Sequence, residues 1–333
     1  MSFSIGIIGL PNAGKSTLFK ALTKNPVDIA SYPFTTIQPN KGIVAVPDQR
    51  LKKIAEIVKP EKTTPTIIEF IDIAGLIKNA HKGEGLGNQF LAHIRECDAV
   101  LEIVRIFVQN DVEHPEKYIN PQRDIEIIKT ELIMKDIETI EKVLNKEKTI
   151  ERQTLFKKIK ENLNKGIRVA DLHLSQEEVS QIKELNLLTA KPLLRVFNIN
   201  SQSKIRPQGL CLDLKLEKEI SELKKSELKE LGLKSQLDQL ILSCYNILDL
   251  ITFYTITGGR EVRAWTLKKN STAPEAGKVV HSDFKEKFIK AIVIPWQKLV
   301  QAGSLAKARE KGLLQTVGKE YKVQDGDIIE FKI

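Results

Sequence analysis

Cysteine is scarce in this chain. Cys97, Cys211 and Cys244 are the three present, an odd number, far apart and without C-x-x-C spacing. That pattern excludes a disulfide framework and a zinc-ribbon ligand set, and it fits a reducing cytoplasm. Long apolar runs are lacking too. The best candidate, Ala99 to Val108, is short and carries Glu102 and Arg105, whereas a membrane helix needs ~20 apolar residues. No membrane partner is therefore expected. A basic n-region and a cleavage site are also absent at the N-terminus, so secretion is not expected and the expected location is cytoplasmic.

What is present is length and charge. At 333 residues, 41% hydrophobic and 29% charged, the chain reads as globular and long enough for two or three domains. A net charge of +9 permits a polyanionic partner without demanding one.

The stretch that organises the rest is Phe3 to Thr17. Apolar Ile5, Ile7 and Ile8 run into Gly9-Leu-Pro-Asn-Ala-Gly14-Lys15-Ser16, and a helical pattern (Leu18, Phe19, Ala21, Leu22) follows at once. This is G-x-x-x-x-G-K-[ST] between a strand and a helix, the context in which that pattern cradles a triphosphate. Glycines let backbone N–H groups turn toward phosphate oxygens, and the helix start adds further donors. Lys15 is the expected β/γ-phosphate contact and Ser16 the expected Mg²⁺ ligand.

Downstream, Tyr32-Pro-Phe-Thr-Thr36-Ile-Gln-Pro-Asn40 reads as an irregular loop, with Thr36 as a second Mg²⁺ ligand held while the γ-phosphate is present. Gly42 to Val46 reads as a strand. Thr66 to Ile71 reads as another, ending in Asp72-Ile-Ala-Gly75, where Asp72 faces the metal shell and the Gly75 N–H the γ-phosphate. Gly83-Glu-Gly-Leu-Gly87 reads as a glycine loop that reports γ-phosphate state. A helix is expected over Gln89 to Glu96 and a third strand over Ala99 to Phe107. His93 and Cys97 lie four apart on that helix with no further ligand in view, so core packing is expected rather than a metal site.

From Pro121 the apolar residues Ile125, Ile128, Leu132, Met134, Ile137, Ile140, Val143 and Leu144 recur every three or four positions, predicting a long amphipathic helix. Helices over Glu151 to Asn164 and Gln176 to Leu185 complete a projecting hairpin. Lys142, Lys146, Lys148, Arg152, Lys157, Lys158, Lys160, Lys165 and Arg168 make that arm basic, either as a phosphate-backbone contact or as a solvated lysine face. Pro192 to Phe197 returns to strand, Leu237 to Ile251 reads as a last helix, and the texture from Thr252 is β-rich. There Phe253 to Ile256, Val262 to Leu267 and Gly326 to Phe331 read as strands, with one helix around Asp283 to Ala291. This basic α+β unit has few aromatics for base stacking.

Taken together, these motifs resemble the YchF-type, Obg-like P-loop ATPases. The carrying residues are Gly6 to Thr17, Tyr32 to Asn40, Asp72 to Leu76, Lys82 to Phe90, Asp124 to Ile128, Glu261 to Trp265 and Val323 to Asp327, in order along almost the whole chain. The resemblance implies a doubly wound α/β P-loop domain (1–118 and 190–250), a helical coiled-coil insertion (119–189) and a small C-terminal α+β TGS domain (251–333). It implies association with ribosomes and hydrolysis of ATP in preference to GTP; the expected partners are ATP or GTP, the ribosome or its large subunit, and rRNA, and a monomer is expected. The nucleotide residues it implies are Asn12, Ala13, Gly14, Lys15, Ser16, Thr17, Asp72, Gly75, Asn198 and Ile199, with Ser16 and Thr36 on Mg²⁺ and Asn12 near a K⁺ ion.

Two departures bear on the base. Guanine-selective relatives use N-K-x-D, whose Asp pairs with guanine N1–H and its amino group; here the stretch is Asn198-Ile-Asn-Ser201. Guanine selectivity is lost, yet the glutamate usual in the family is replaced by Ser201, and Asp213-Leu-Lys215 stands where a small-residue loop is expected. Leu76 occupies the place of the water-orienting glutamine of Ras-like enzymes, which predicts slow hydrolysis. The resemblance points instead to His114 as the catalytic group; the plain alternative is an exposed loop residue beside Pro115. A GTPase of relaxed base choice and a nucleotide-gated binding module with negligible turnover remain as alternatives.

Overall fold

The computed structural model describes residues 3–24, 32, 40–73, 86–107, 114–115, 118–203 and 206–333. Strand β1 (Phe3–Ile8) enters the core with Ile5, Ile7 and Ile8 fully buried, as a parallel strand covered on both faces must be. After the loop come α1 (Lys15–Thr23), β2 (Lys41–Ala45), α2 (Gln49–Val58), β3 (Lys62–Thr64), β4 (Ile67–Asp72), α3 (Leu86–Glu96) and β5 (Ala99–Arg105).

The chain then leaves the sheet. Helix α4 (Pro121–Leu144) starts at Asn120, whose side chain accepts from the Arg123 N–H, with Pro121 in the first turn. Helix α5 (Ile150–Asn164) packs back along it through Ile133, Ile140, Leu155, Phe156, Ile159 and Leu163, and α6 (Gln176–Ile182) opens with a Ser175–Glu178 capping box. The root of the arm is pinned by Asp136. Its buried carboxylate accepts from the Leu188 and Thr189 N–H groups, both at 2.8 Å, and from the Thr189 hydroxyl at 2.6 Å.

The chain returns as β6 (Leu193–Asn198), β7 (Leu210–Leu212), α7 (Leu214–Glu222), α8 (Lys225–Glu230) and α9 (Leu237–Ile247). The first sheet has the order β2-β4-β1-β5-β6-β7, parallel except for β2 against β4. Helices α1, α7 and α9 cover one face, and α3 and α4 the other. That is the doubly wound arrangement, which opens a crevice at the carboxyl ends of its strands.

The rest of the chain forms β8 (Leu250–Thr257), β9 (Glu261–Lys268), α10 (Ala273–Val280), α11 (Ser282–Glu286), β10 (Lys290–Pro295), α12 (Trp296–Ala302), α13 (Leu305–Glu310), β11 (Gln315–Val317) and β12 (Asp327–Lys332). Their sheet has the order β11-β10-β12-β8-β9-β3. Its last strand is therefore borrowed from the first third of the chain: β3 pairs parallel with β9, and the Thr64 hydroxyl donates to Glu261 at 2.7 Å. Helix α2 follows it. Leu51 and Ile54 belong to the core formed with Tyr254, Val262, Ile294 and Leu299. Asp48, which caps α2, accepts from the Tyr254 hydroxyl, and Arg50 reaches Asp325 at 2.7 Å.

Several expectations are corrected here. The helix expected over Asp283 to Ala291 is only the short α11. From Lys290 the run is strand, with Ala291 and Val293 buried at a period of two and β-branched residues that favour it. Three other helices, α10, α12 and α13, also interrupt these strands. The helix expected to reach Ile251 stops at Ile247, because Asp249 adopts a left-handed φ of 53° and β8 starts at Leu250. The arm is less basic than its sequence suggests. Arg152 pairs with Glu184 and Glu147, Lys158 with Glu178, Lys160 with Glu141 and Arg168 with Asp171. Cys97 is a packing residue, its thiol donating to the His93 carbonyl. Among the described residues, no helix is long and apolar enough to cross a membrane.

Candidate active site

The crevice is built around the turn from β1 into α1. Asn12 (φ 63°) and Gly14 (φ 109°) take left-handed conformations that Asn and Gly tolerate, and the Ala13 N–H closes onto the Leu10 carbonyl at 3.3 Å. Two glycines are required by space as well. A Cβ on Gly9 would lie 2.6 Å from the Ile103 carbonyl of β5, and one on Gly14 would lie 2.4 Å from Asn198 Nδ2. Ala13 is buried, Thr17 half-buried, and Asn12 and Ser16 exposed, which leaves the Ser16 hydroxyl open at the helix start.

Lys15 is 7% exposed, and its ammonium donates to the Gly9 and Leu10 carbonyls at 3.2 and 3.0 Å. Burial lowers its pKa, while the nearby negative charge of Asp72 acts the other way. Asp72 ends β4, opposite Ile7 of β1, and its N–H donates to the Asn40 carbonyl at 2.9 Å. The sheet register thus brings the lysine of one motif and the aspartate of the other to the same edge. Thr36, Gly75, Leu76 and residues 83–85 lie outside the described residues; Leu86 and Gly87 open α3.

The far wall comes from the end of β6. Asn198 is buried; its Nδ2 donates to the Ala13 carbonyl at 2.9 Å and its Oδ1 accepts from the Leu214 N–H at 3.3 Å. The Ile199 N–H donates to the Leu212 carbonyl at 2.9 Å. Ser201 is exposed in the turn that follows. Asp213-Leu-Lys215 proves to be a helix start: Asp213 caps α7 by accepting from the Leu216 N–H at 3.0 Å, and Leu214 is fully buried. The sequence carried that signal, an Asp ahead of Leu214, Glu217 and Ile220.

His114 is not the exposed loop residue of the plain alternative. It is 9% exposed, with Nε2 2.9 Å from Asp124 Oδ2. A narrow cavity is lined by both residues, by Arg105 and by Leu10, Pro11 and Ala13 of the phosphate loop. Arg123 reaches the other oxygen of Asp124 at 3.2 Å. Asp124 was not singled out as a site residue from the sequence, although its spacing to Ile128, Glu131 and Leu132 places an acid on the buried face of α4. Among the described residues no group of three or more His, Cys, Asp or Glu is assembled.

Comparison with known proteins agrees with this architecture. A family profile described as "50S ribosome-binding GTPase" matches residues 4–146, and YchF-GTPase_C, described as "Protein of unknown function (DUF933)", matches residues 250–333. The chain is 42% identical to a Bacillus subtilis protein named "Ribosome-binding ATPase YchF", over 100% of this chain and 99% of that one. A Mycoplasma genitalium protein of the same name is 43% identical over 99% and 98%. The solved structure of the Schizosaccharomyces pombe "YchF GTPase" superposes with a TM-score of 0.87 at 33% identity, covering 99% of this chain and 98% of that one.

Proposed function

The chain belongs to the YchF family of P-loop nucleoside triphosphatases, and we propose that it hydrolyses ATP to ADP and phosphate as a slow nucleotide switch at the ribosome. The observation that carries this reading is Lys15, held by the carbonyls of its own loop and within electrostatic reach of Asp72 at the end of the neighbouring strand. A triphosphate offers that ammonium a stronger, charge-assisted partner than neutral carbonyls.

The nucleotide contacts are Asn12 to Thr17, Asp72, Gly75, Asn198 and Ile199. Asn198 acts through the loop it ties down by donating to the Ala13 carbonyl. The Ser16 hydroxyl and the Asp72 carboxylate are hard oxygen donors at one edge of the sheet, the chemistry that Mg²⁺ takes, with Thr36 as the further ligand. Held by these residues, Mg²⁺ would supply charge neutralisation for the triphosphate. The K⁺ expectation rests on the resemblance alone, with Asn12 as its residue, and no step is assigned to it.

Hydrolysis forms a bond from a water oxygen to Pγ and breaks the bond from Pγ to the β,γ-bridging oxygen, releasing ADP. The water proton ends on the phosphate. Lys15 and the loop N–H groups hold charge on the phosphates, and His114 orients the water that Leu76 cannot. Slow turnover is expected because Leu76 stands at the place of the water-orienting glutamine.

Base choice follows from what the pocket lacks. Without the Lys and Asp of N-K-x-D nothing rewards guanine, and Asp213 does not stand in for them because its carboxylate caps α7. The second reading, a GTPase of relaxed base choice, is favoured by the solved fission-yeast relative, which is named a GTPase. A nucleotide-gated module would bind without turning over. Residues 1–118 with 190–250 are the nucleotide domain, which lends α2 and β3 to the C-terminal sheet; 119–189 and the TGS domain 251–333 contact the large subunit and rRNA of a cytoplasmic ribosome, and the protein is a monomer. Fluorescent ATP and GTP titrations, with phosphate release measured with and without ribosomes, test all three readings. ATP preference with ribosome-stimulated release is expected; clear GTP preference or absent turnover would overturn it.

A further inference from the structure

We infer that Asp124 is a positioning residue for His114, fixing which ring nitrogen faces the reacting water. This rests on the reading of His114 as the catalytic group. The carboxylate Oδ2 lies 2.9 Å from His114 Nε2, and both side chains are about as buried as the strands beneath them, 5% and 4% exposed. An ionised carboxylate accepts and never donates. In the neutral ring it therefore places the hydrogen on Nε2 and the acceptor lone pair on Nδ1.

The carboxylate is itself held from three sides. It sits in the first turn of α4, where the N-terminal dipole favours a negative charge. Arg123 donates to Oδ1 at 3.2 Å while stacking on the Tyr118 ring at 4.5 Å, so Oδ2 alone is turned to the histidine. Arg105 of β5, buried and drawn electrostatically to Asp124, faces the same cavity. Among the described residues, the charged groups around the imidazole include Asp124 and Arg123 from α4 and Arg105 from β5. Because that cavity is walled by Leu10, Pro11 and Ala13, the dyad abuts the phosphate loop itself.

A purely structural Asp124 would tie α4 to the loop and act on stability or affinity. A positioning Asp124 acts on turnover, and only through His114. The test combines steady-state ATP hydrolysis of full-length wild type, Asp124→Asn, His114→Ala and the double variant with ¹⁵N spectra of the five histidines, His114 being assigned by its loss in His114→Ala.

The expected result is a kcat about tenfold lower or worse for Asp124→Asn, an ATP KM unchanged within about twofold, no further loss on adding Asp124→Asn to His114→Ala, and an Nε2-protonated ring that changes tautomer in Asp124→Asn. Equal losses from Asp124→Asn with and without His114 would overturn the inference, as would an unchanged kcat in Asp124→Asn beside a reduced one in His114→Ala. If His114→Ala itself leaves kcat unchanged, the catalytic reading of His114 fails; the spectra then decide the pairing alone, a tautomer change upholding it and an unchanged ring overturning it. Should Asp124→Asn not fold, Asp124→Glu serves. It keeps the charge and the Nε2-protonated ring but displaces it, so kcat falls while the tautomer holds; an unchanged kcat would overturn the inference.

Discussion

Asn198 reaches back across 185 positions of sequence to donate to the Ala13 carbonyl at 2.9 Å, while its own oxygen accepts from Leu214. One buried amide thus joins the phosphate loop, the end of β6 and the start of α7. Asn198→Ala leaves the Ala13 carbonyl and the Leu214 N–H without that partner, at about 1–3 kcal/mol for each buried group left unmade. Nucleotide affinity should fall about tenfold or more, read by titration with a fluorescent ATP analogue. An unchanged affinity would remove Asn198 from the site.

Gly14 meets the same amide from the other side. A methyl group there would lie 2.4 Å from Asn198 Nδ2, on a backbone at φ 109° that L-residues avoid. Gly14→Ala should abolish measurable triphosphate binding while the circular-dichroism melt stays cooperative, since the sheet beneath is untouched. Binding at wild-type strength would mean that the loop is not the cradle described.

The C-terminal sheet is not a detachable module. Leu51 and Ile54 of α2 are buried in its core, and β3 is its edge strand. Removing residues 250–333 exposes both apolar side chains, at about 1.5–3 kcal/mol each, and leaves β3 unpaired. The truncated chain should aggregate or melt without cooperativity. In the full chain, Asp48→Ala takes the partner from the Tyr254 hydroxyl and the cap from α2, and should cost about 2 kcal/mol in chemical denaturation. A soluble truncation with an unshifted melt would contradict this shared core.

Ribosome association through the arm should weaken linearly in log salt. The exposed Lys142, Lys146, Lys148, Lys157 and Lys165 stand outside the ion pairs that engage Arg152, Lys158, Lys160 and Arg168. Lys146→Ala and Lys148→Ala should each lower the salt slope by about one, and Lys160→Ala by less. Sedimentation binding that ignores ionic strength would take the arm out of the interface.

Much of this was legible from the sequence where the chemistry is local. The phosphate loop announces itself because strand, glycines, lysine and helix are contiguous, and Asp72 because it closes an apolar strand. The α4–α5 hairpin follows from apolar periodicity over 24 and 15 residues. What stayed hidden is non-local or short. Nothing in Lys62-Thr-Thr64 tells of a partner 199 positions away in β9, and helices of six to eight residues such as α10, α12 and α13 span too few turns to show a period. The ion pairing of the basic arm stayed hidden in part because two of its carboxylates, Glu178 and Glu184, come from the other side of a loop. The partner of buried His114 is Asp124, ten residues on and beyond two prolines.

The most direct test of the whole account is triphosphate affinity with and without the Lys15 ammonium. Side-by-side titrations of wild type and Lys15→Ala with ATP, in Mg²⁺ and at fixed ionic strength, should show affinity falling by about two orders of magnitude, a loss of about 3 kcal/mol for a buried charge-assisted contact. An affinity for ATP that survives Lys15→Ala unchanged would contradict the claim that this loop holds the nucleotide.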